Sequence, residues 1–288
     1  MYQILHKEKL GPDIWLYRMK APDVARYRKP GQFVIVRITE DGERIPITIA
    51  EVDRDEGSIT LIVQAVGKTT LQMTTLEVGE TIPTVTGPLG RPTTIEKVGR
   101  VLCVGGGIGI APLYPVARAM REAGNHVTSI IGARSSNLLI LEDRMRQVSN
   151  EIVVTTDDGS SGSRGFVTDS IRNLLEIGES FQQCVAMGPP IMMKCVCDLT
   201  REYDIPTIVS LNPIMVDGTG MCGCCRVTVG DSVKFACVDG PEFDGHLVDF
   251  SELMTRLKTY GTEEREALEC YSSESGCRLD AMLEGGAR

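Results

Sequence analysis

Short apolar runs broken by Gly, Pro and Asp fill the first third of the chain. Ile14 to Arg18, Gln32 to Ile38, Ile45 to Ala50 and Ser58 to Gln64 have the length and composition of strands, and their spacing predicts a small antiparallel barrel. From Val98-Gly99-Arg100 onward the pattern changes. Arg100 to Val104, His126 to Ile131, Glu151 to Thr155, Gln183 to Ala186 and Thr207 to Ser210 read as strands, with helical stretches such as Pro112 to Ala123 between most of them. That alternation predicts a parallel sheet covered by helices, with ligand sites at the carboxyl ends of its strands. A charged helical segment is expected from Phe250 to Leu268 and a loose tail from Tyr271 to Arg288. The expected fold class is therefore a β barrel plus α/β, divided at 1–97, 98–212, 213–250 and 251–288.

Composition narrows the partners. The chain has 288 residues, long enough for two cores and an appendage, and its 42% hydrophobic and 24% charged content is that of a folded globular protein. No run is long enough to cross a bilayer, and Met1 to His6 lack the apolar stretch of a signal peptide, so a cytoplasmic location with no membrane partner is expected. A net charge of -9 argues against nucleic acid, whose binders concentrate Lys and Arg to release counterions. Ten cysteines would be odd as disulfides in a reducing compartment. Six of them, Cys103, Cys184, Cys195, Cys197, Cys270 and Cys277, are scattered. Cys103, Cys195 and Cys197 are expected to pack as small apolar side chains, while Cys270 and Cys277 have no assigned role.

The other four, Cys222, Cys224, Cys225 and Cys237, share one stretch. With Asp217 they write D-x4-C-x2-C, followed after eleven residues by Cys237. Plant-type 2Fe-2S sites use C-x4-C-x2-C…C on a glycine-rich loop, so Asp217 stands at the first ligand position and Asp217, Cys222, Cys225 and Cys237 are the candidate metal ligands. A carboxylate is a harder ligand of the same charge as a thiolate and is expected to make the cluster easier to reduce. Cys224 reads as a non-ligand or an alternate one. The competing reading is a structural zinc site with three sulfurs and one oxygen, although zinc knuckles usually pair two short ligand pairs.

Val101 to Pro112 reads as a strand, a glycine turn and a helix start. Gly105, Gly106, Gly107 and Gly109 would let the backbone approach a pyrophosphate, and Ala111 and Pro112 would open a helix whose N-terminus favours anions. The strict dinucleotide fingerprint wants glycine where Ile110 stands. Other candidates end the later strands: Arg134 and Ser135, Asp157 and Asp158, and Gly188, Pro189 and Met192. Arg134 or Ser135 is placed to meet an adenosine ribose or a 2′-phosphate, so NAD(H) and NADP(H) both stay open. Lys68-Thr69-Thr70 is not a P-loop end, because position 62 is Ile62 rather than glycine.

Together these motifs resemble the ferredoxin-NADP reductase superfamily, and within it the electron-transfer subunits of dihydroorotate dehydrogenase B type. The resemblance covers nearly the whole chain. It is closest to the small subunits of NADH-dependent ferredoxin:NADP oxidoreductases, where an aspartate likewise replaces the first cluster cysteine. It implies an FAD-binding barrel over 1–97, an NAD(P)-binding domain over 98–212, a 2Fe-2S module over 213–250, and a C-terminal helix and tail that contact another subunit. Pro30 to Phe33 then looks like the strand entering the flavin site. Arg44, Pro46, Ile47 and Thr48 look like the flavin strand, with the Thr48 hydroxyl at the isoalloxazine edge. Gly67, Lys68, Thr69 and Thr70, with Val66 before them, would offer backbone N–H groups to the FAD pyrophosphate, and Gly87 would close the loop beside it. The superfamily pattern R-x-Y-S sets arginine three residues before the hydroxyl, whereas Arg44 is four before Thr48 and Ile47 replaces the aromatic.

The resemblance implies a division of labour: nicotinamides exchange electron pairs, iron-sulfur clusters single electrons, and flavins both. No general acid or base is needed. The implied partner is a large flavin and iron-sulfur subunit that performs electron bifurcation and reaches ferredoxin. A dihydroorotate dehydrogenase B electron-transfer subunit is the alternative, and a redox-inactive zinc-bearing binding protein is a third reading.

Overall fold

The computed structural model describes residues 1–285, with side chains through residue 273. The first unit contains β1 (Tyr2–Gly11), β2 (Ile14–Lys20), α1 (Pro22–Tyr27), β3 (Phe33–Arg37), β4 (Ile45–Asp53), β5 (Ser58–Gln64), α2 (Lys68–Thr74), β6 (Thr81–Ile82) and β7 (Thr84–Leu89). Its strands pair antiparallel in the order β6-β1-β2-β5-β4-β3-β7, a nearly closed barrel. Alternation sends Tyr17, Met19, Ile47, Ile49, Ile59 and Leu61 into the barrel. The buried Tyr17 hydroxyl donates to the Met73 carbonyl at 2.8 Å and so ties α2 to the barrel. β1 was not anticipated. Among its ten residues only Ile4 is buried, so it carries almost no apolar signal.

The second unit runs β8 (Arg100–Gly106), α3 (Ile110–Glu122), β9 (His126–Ala133), α4 (Glu142–Val148), β10 (Glu151–Thr156), β11 (Ser163–Arg164), α5 (Val167–Glu176), β12 (Gln183–Met187), α6 (Pro190–Glu202) and β13 (Thr207–Ser210). Beyond it lie β14 (Arg226–Val229), β15 (Ser232–Phe235), α7 (Ala236–Asp239), β16 (Glu242–Asp244), α8 (Phe250–Arg256) and α9 (Gly261–Gly285). The sheet order is β11-β10-β9-β8-β12-β13-β16, parallel except for β16, which runs antiparallel to β13. The strand order reverses between β8 and β12, which is where open α/β sheets form their ligand crevice.

One core is shared across the units. Ile14, Leu16, Ala50 and Ile62 of the barrel pack with Ile110, Leu113, Tyr114 and Val116 of α3. The expected helix over Phe250 to Leu268 is two helices, α8 and α9, separated by residues 257–260. The expected loose tail is corrected as well: α9 continues to Gly285, built from helix-forming Glu, Ala and Leu. Residues 286–288 of that tail and the Cys277 side chain lie outside what is described.

Candidate functional site

Two cavities open on the seam between barrel and sheet. The first, about 510 Å³, is walled by Pro46, Ile47 and Thr48 of β4, by Thr70 of α2, and across the seam by Gly109, Ala111, Pro112, Gly188 and Pro189. The second, about 480 Å³, lies over the ends of β8, β9 and β10 and is lined by Gly106, Gly107, Arg134, Asp157, Pro189 and Met192. Gln64, Ile108 and Pro189 line both, so the cavities share a wall.

The glycine turn explains why these walls stand where they do. Gly107 has φ +54 and open space beside it, a left-handed position that a Cβ would strain. A Cβ on Gly109 would fall 2.3 Å from the Met187 carbonyl oxygen, so this glycine allows the turn to touch the end of β12. Gly105 lines neither cavity: its Cβ would meet Leu113 and Ile110, and its role is close packing of strand on helix.

Several of the candidate residues are engaged within the protein or lie off the cavity walls. The Arg44 guanidinium turns away from the first cavity and donates through Nε to the Val216 carbonyl at 2.7 Å, joining the barrel to the cysteine module. The Val66 and Gly67 amides both donate to the Thr70 hydroxyl at 3.0 Å, so they are spent within the turn. Thr69 is buried and donates to Glu43, and Lys68 lines neither cavity. Gly87 sits against Val34 and the Phe33 carbonyl in the barrel wall. Ser135 donates to the Asn137 side chain at 2.6 Å. The Asp158 carboxylate accepts from the Ser160 hydroxyl and amide, which hold its pKa below the usual carboxylate range. Cys103 and Cys197 are buried as expected, but Cys195 is exposed and lines the second cavity. Sequence reasoning missed Gln64, Ile108, Phe166, Ser210 and Pro241, all cavity-lining, because nothing in their local pattern marks a site.

In the cysteine module, Cys225 and Cys237 are 1% exposed and their sulfurs lie 3.2 Å apart. The pair is brought together by the β14–β15 hairpin, which sets Arg226 opposite Phe235. Burial, and then the neighbouring Cys225 thiol, push Cys237 up to about 12. Cys222 is exposed on the loop. The Asp217 carboxylate accepts from the amides of Thr219, Met221 and Cys222 at 2.9, 3.1 and 3.0 Å. Those bonds, the one from Thr219 first, lower its pKa to about 2. Among the described residues, the four candidate ligands are not gathered into one metal-holding group. The donor set nevertheless fits a 2Fe-2S group: three soft thiols and one carboxylate occur within a single loop, two of them already in contact. A bound metal would displace the thiol protons that burial otherwise retains.

Comparison with known proteins places these features. The family model for the iron-sulfur cluster binding domain of dihydroorotate dehydrogenase B matches residues 212–249. That for the oxidoreductase NAD-binding domain matches 103–198. A dihydroorotate dehydrogenase B (NAD(+)) electron transfer subunit homolog from Thermotoga maritima is 47% identical over 274 residues, covering 95% of this chain and 96% of that protein. The electron transfer subunit from Desulforamulus reducens is 34% identical, over 84% of this chain and 94% of its own length. A solved chain from a study of flavin-based electron bifurcation by the NADH-dependent reduced ferredoxin-NADP oxidoreductase superposes with a TM-score of 0.90. It is 48% identical and covers 94% of this chain and 98% of that one. FAD, a 2Fe-2S cluster and NAD are the cofactors that go with this fold and these domains. The chain belongs to the family of dihydroorotate dehydrogenase B-type electron-transfer subunits, within the ferredoxin-NADP reductase superfamily.

Proposed function

We propose that this chain is the electron-transfer subunit of a bifurcating NADH-dependent ferredoxin:NADP oxidoreductase. The observation that carries the reading is the shared wall: two adjacent cavities, one against the barrel and one over the glycine turn, suit a flavin and a nicotinamide that must meet. In this reading 1–97 holds FAD, 98–212 holds NAD(H), 213–250 holds the cluster and 251–288 contacts the partner. Thr48 meets the flavin edge, with Pro46, Ile47 and Thr70 beside it. Gly106 and Gly107 approach the dinucleotide phosphates through their backbone, and Arg134 and Asp157 lie toward the adenosine end. Cys222, Cys225, Cys237 and Asp217 hold the cluster, with the Asp217 carboxylate, which accepts from three loop amides, as its oxygen ligand. Bound FAD would supply the conversion between the two-electron chemistry of a nicotinamide and the one-electron chemistry of a cluster. The residues themselves position these groups and exclude water, and none acts as a general acid or base.

A larger flavin and iron-sulfur subunit is the proposed partner, and it would relay electrons to ferredoxin. The aspartate at the first ligand position favours this assembly over a dihydroorotate dehydrogenase, whereas identities of 48% and 47% to relatives of the two kinds do not separate them. Anaerobic purification should yield a protein with flavin and iron-sulfur absorption. Titration with NADH and then NADPH, followed by EPR, should reduce both centres and tell the two nucleotides apart. Colourless protein, or reduction by dihydroorotate with the native partner, would overturn the assignment.

A further inference from the structure

Where α3 packs on β4, the seam carries a charged cluster beside its apolar one. Glu51 lies on β4, three residues beyond Thr48. Arg144 of α4 donates to it through Nη1 at 2.6 Å. Tyr114 of α3 is buried there, and burial, followed by the Glu51 carboxylate, pushes its phenol up. Arg118, one turn further along α3, sits 5.8 Å from the Tyr114 ring centre and also pairs with Glu122 of its own helix at 3.7 Å.

From the barrel side comes Arg28, 3% exposed, which donates to the Ile49 carbonyl at 2.7 Å and has its Nε buried without a partner. Arg54 donates to the Arg28 carbonyl at 3.4 Å. Burial first, and then Arg118 and Arg54, push Arg28 down to about 10, with Glu51 acting in the opposite sense. Glu51, with Glu122 at the outer end of the cluster, thus stands among guanidiniums from both units, Arg28 and Arg54 on the barrel and Arg118 and Arg144 on the α/β side. Truncating one member of such a set leaves like charges facing each other across a packed boundary.

The same two elements carry the cavity walls. β4 bears Thr48 and Glu51, and α3 starts at the turn that holds Gly107 and Gly109 and passes through Tyr114 and Arg118. We propose that Glu51 is a positioning residue, a clamp that fixes α3 and α4 on the barrel and thereby sets the reach from nicotinamide to flavin across the wall of Gln64, Ile108 and Pro189. The clamp rests on the reading that the two cavities hold those groups. Displacement of about 1 Å at a reacting pair costs on the order of 100-fold in rate. A residue that touches neither ligand then controls the transfer step without contributing to nucleotide affinity.

The test uses the full chain with Glu51→Gln, Glu51→Asp and Arg144→Gln. Stopped-flow reduction of the bound flavin by NADH should slow about 10- to 100-fold in Glu51→Gln and less in Arg144→Gln, with NADH affinity changed less than about two-fold. Glu51→Asp should recover part of the rate. Amide hydrogen exchange on flavin-free chain should be faster in α3 and β4 of Glu51→Gln. An unchanged rate, with or without faster exchange, would overturn the clamp, as would a rate that falls in proportion to NADH affinity. If the native chain fails to reduce its flavin with NADH, the functional reading fails alone, and the exchange measurement still decides whether Glu51 holds the seam.

Discussion

The seam and the cysteine loop are built on different principles. The seam's cavities are made largely of backbone and apolar wall: a glycine turn, a β4 face, and the Gly188-Pro189 corner, all positioned by two sheets and a common core. The loop depends on side chains, and these are unequally committed. Cys225 and Cys237 are packed against each other, Cys222 is exposed, and Asp217 is occupied with its own loop amides. A backbone-built site follows from folding, whereas a side-chain site takes its final form from the bonds its ligand supplies.

The contrast breaks most sharply at Cys225. Cys225→Ser should cost nearly all of the cluster iron while the flavin stays bound and NADH still reduces it, as iron analysis beside a flavin-reduction assay would record. Gly109→Ala is the converse. Its Cβ would sit 2.3 Å from a backbone oxygen, so stability in denaturant should fall by roughly 1–3 kcal/mol and NADH binding should weaken, with iron content unchanged.

Glu242 lies between the two regions and sharpens the comparison through pH. It accepts a bond from Thr93 of the barrel side at 2.6 Å, and burial raises its pKa from 4.5 to about 7. A carboxyl that keeps its proton in the folded state while the unfolded chain loses it makes stability fall as pH rises. Stability should therefore be fullest below 4.5 and decline until about 7, and Glu242→Gln should flatten that slope in denaturant midpoints measured across the range. The smallest effect belongs to Arg44→Gln. It removes a single exposed bond to Val216 and should cost about 1 kcal/mol or less, with flavin content unaltered.

What could be read from sequence follows the same division. The β2 to β5 strands, the parallel strands and the glycine turn declare themselves through local pattern, as do the cysteine spacings. Arg44 does not, because its partner is 172 positions away. Thr69 reads as a phosphate-turn residue until Glu43 is found beside it. β1 and α9 were missed or cut short because neither presents an apolar stripe, β1 being polar along most of its length and α9 largely exposed over its described side chains. The cavity walls at Ser210 and Pro241 exist only once distant strands meet.

The short strand β16 has a consequence for how this architecture can be divided. It belongs in sequence to the cysteine module but occupies the outermost place in the nucleotide sheet, paired along Ile208, Val209 and Ser210. A chain cut before Pro213 would leave β13 as an uncovered rim of unpaired amides and carbonyls, ready to recruit a strand from another copy. Removing the metal-bearing piece would therefore be expected to turn a well-behaved nucleotide domain into one that self-associates, so the module doubles as an edge guard for its neighbour.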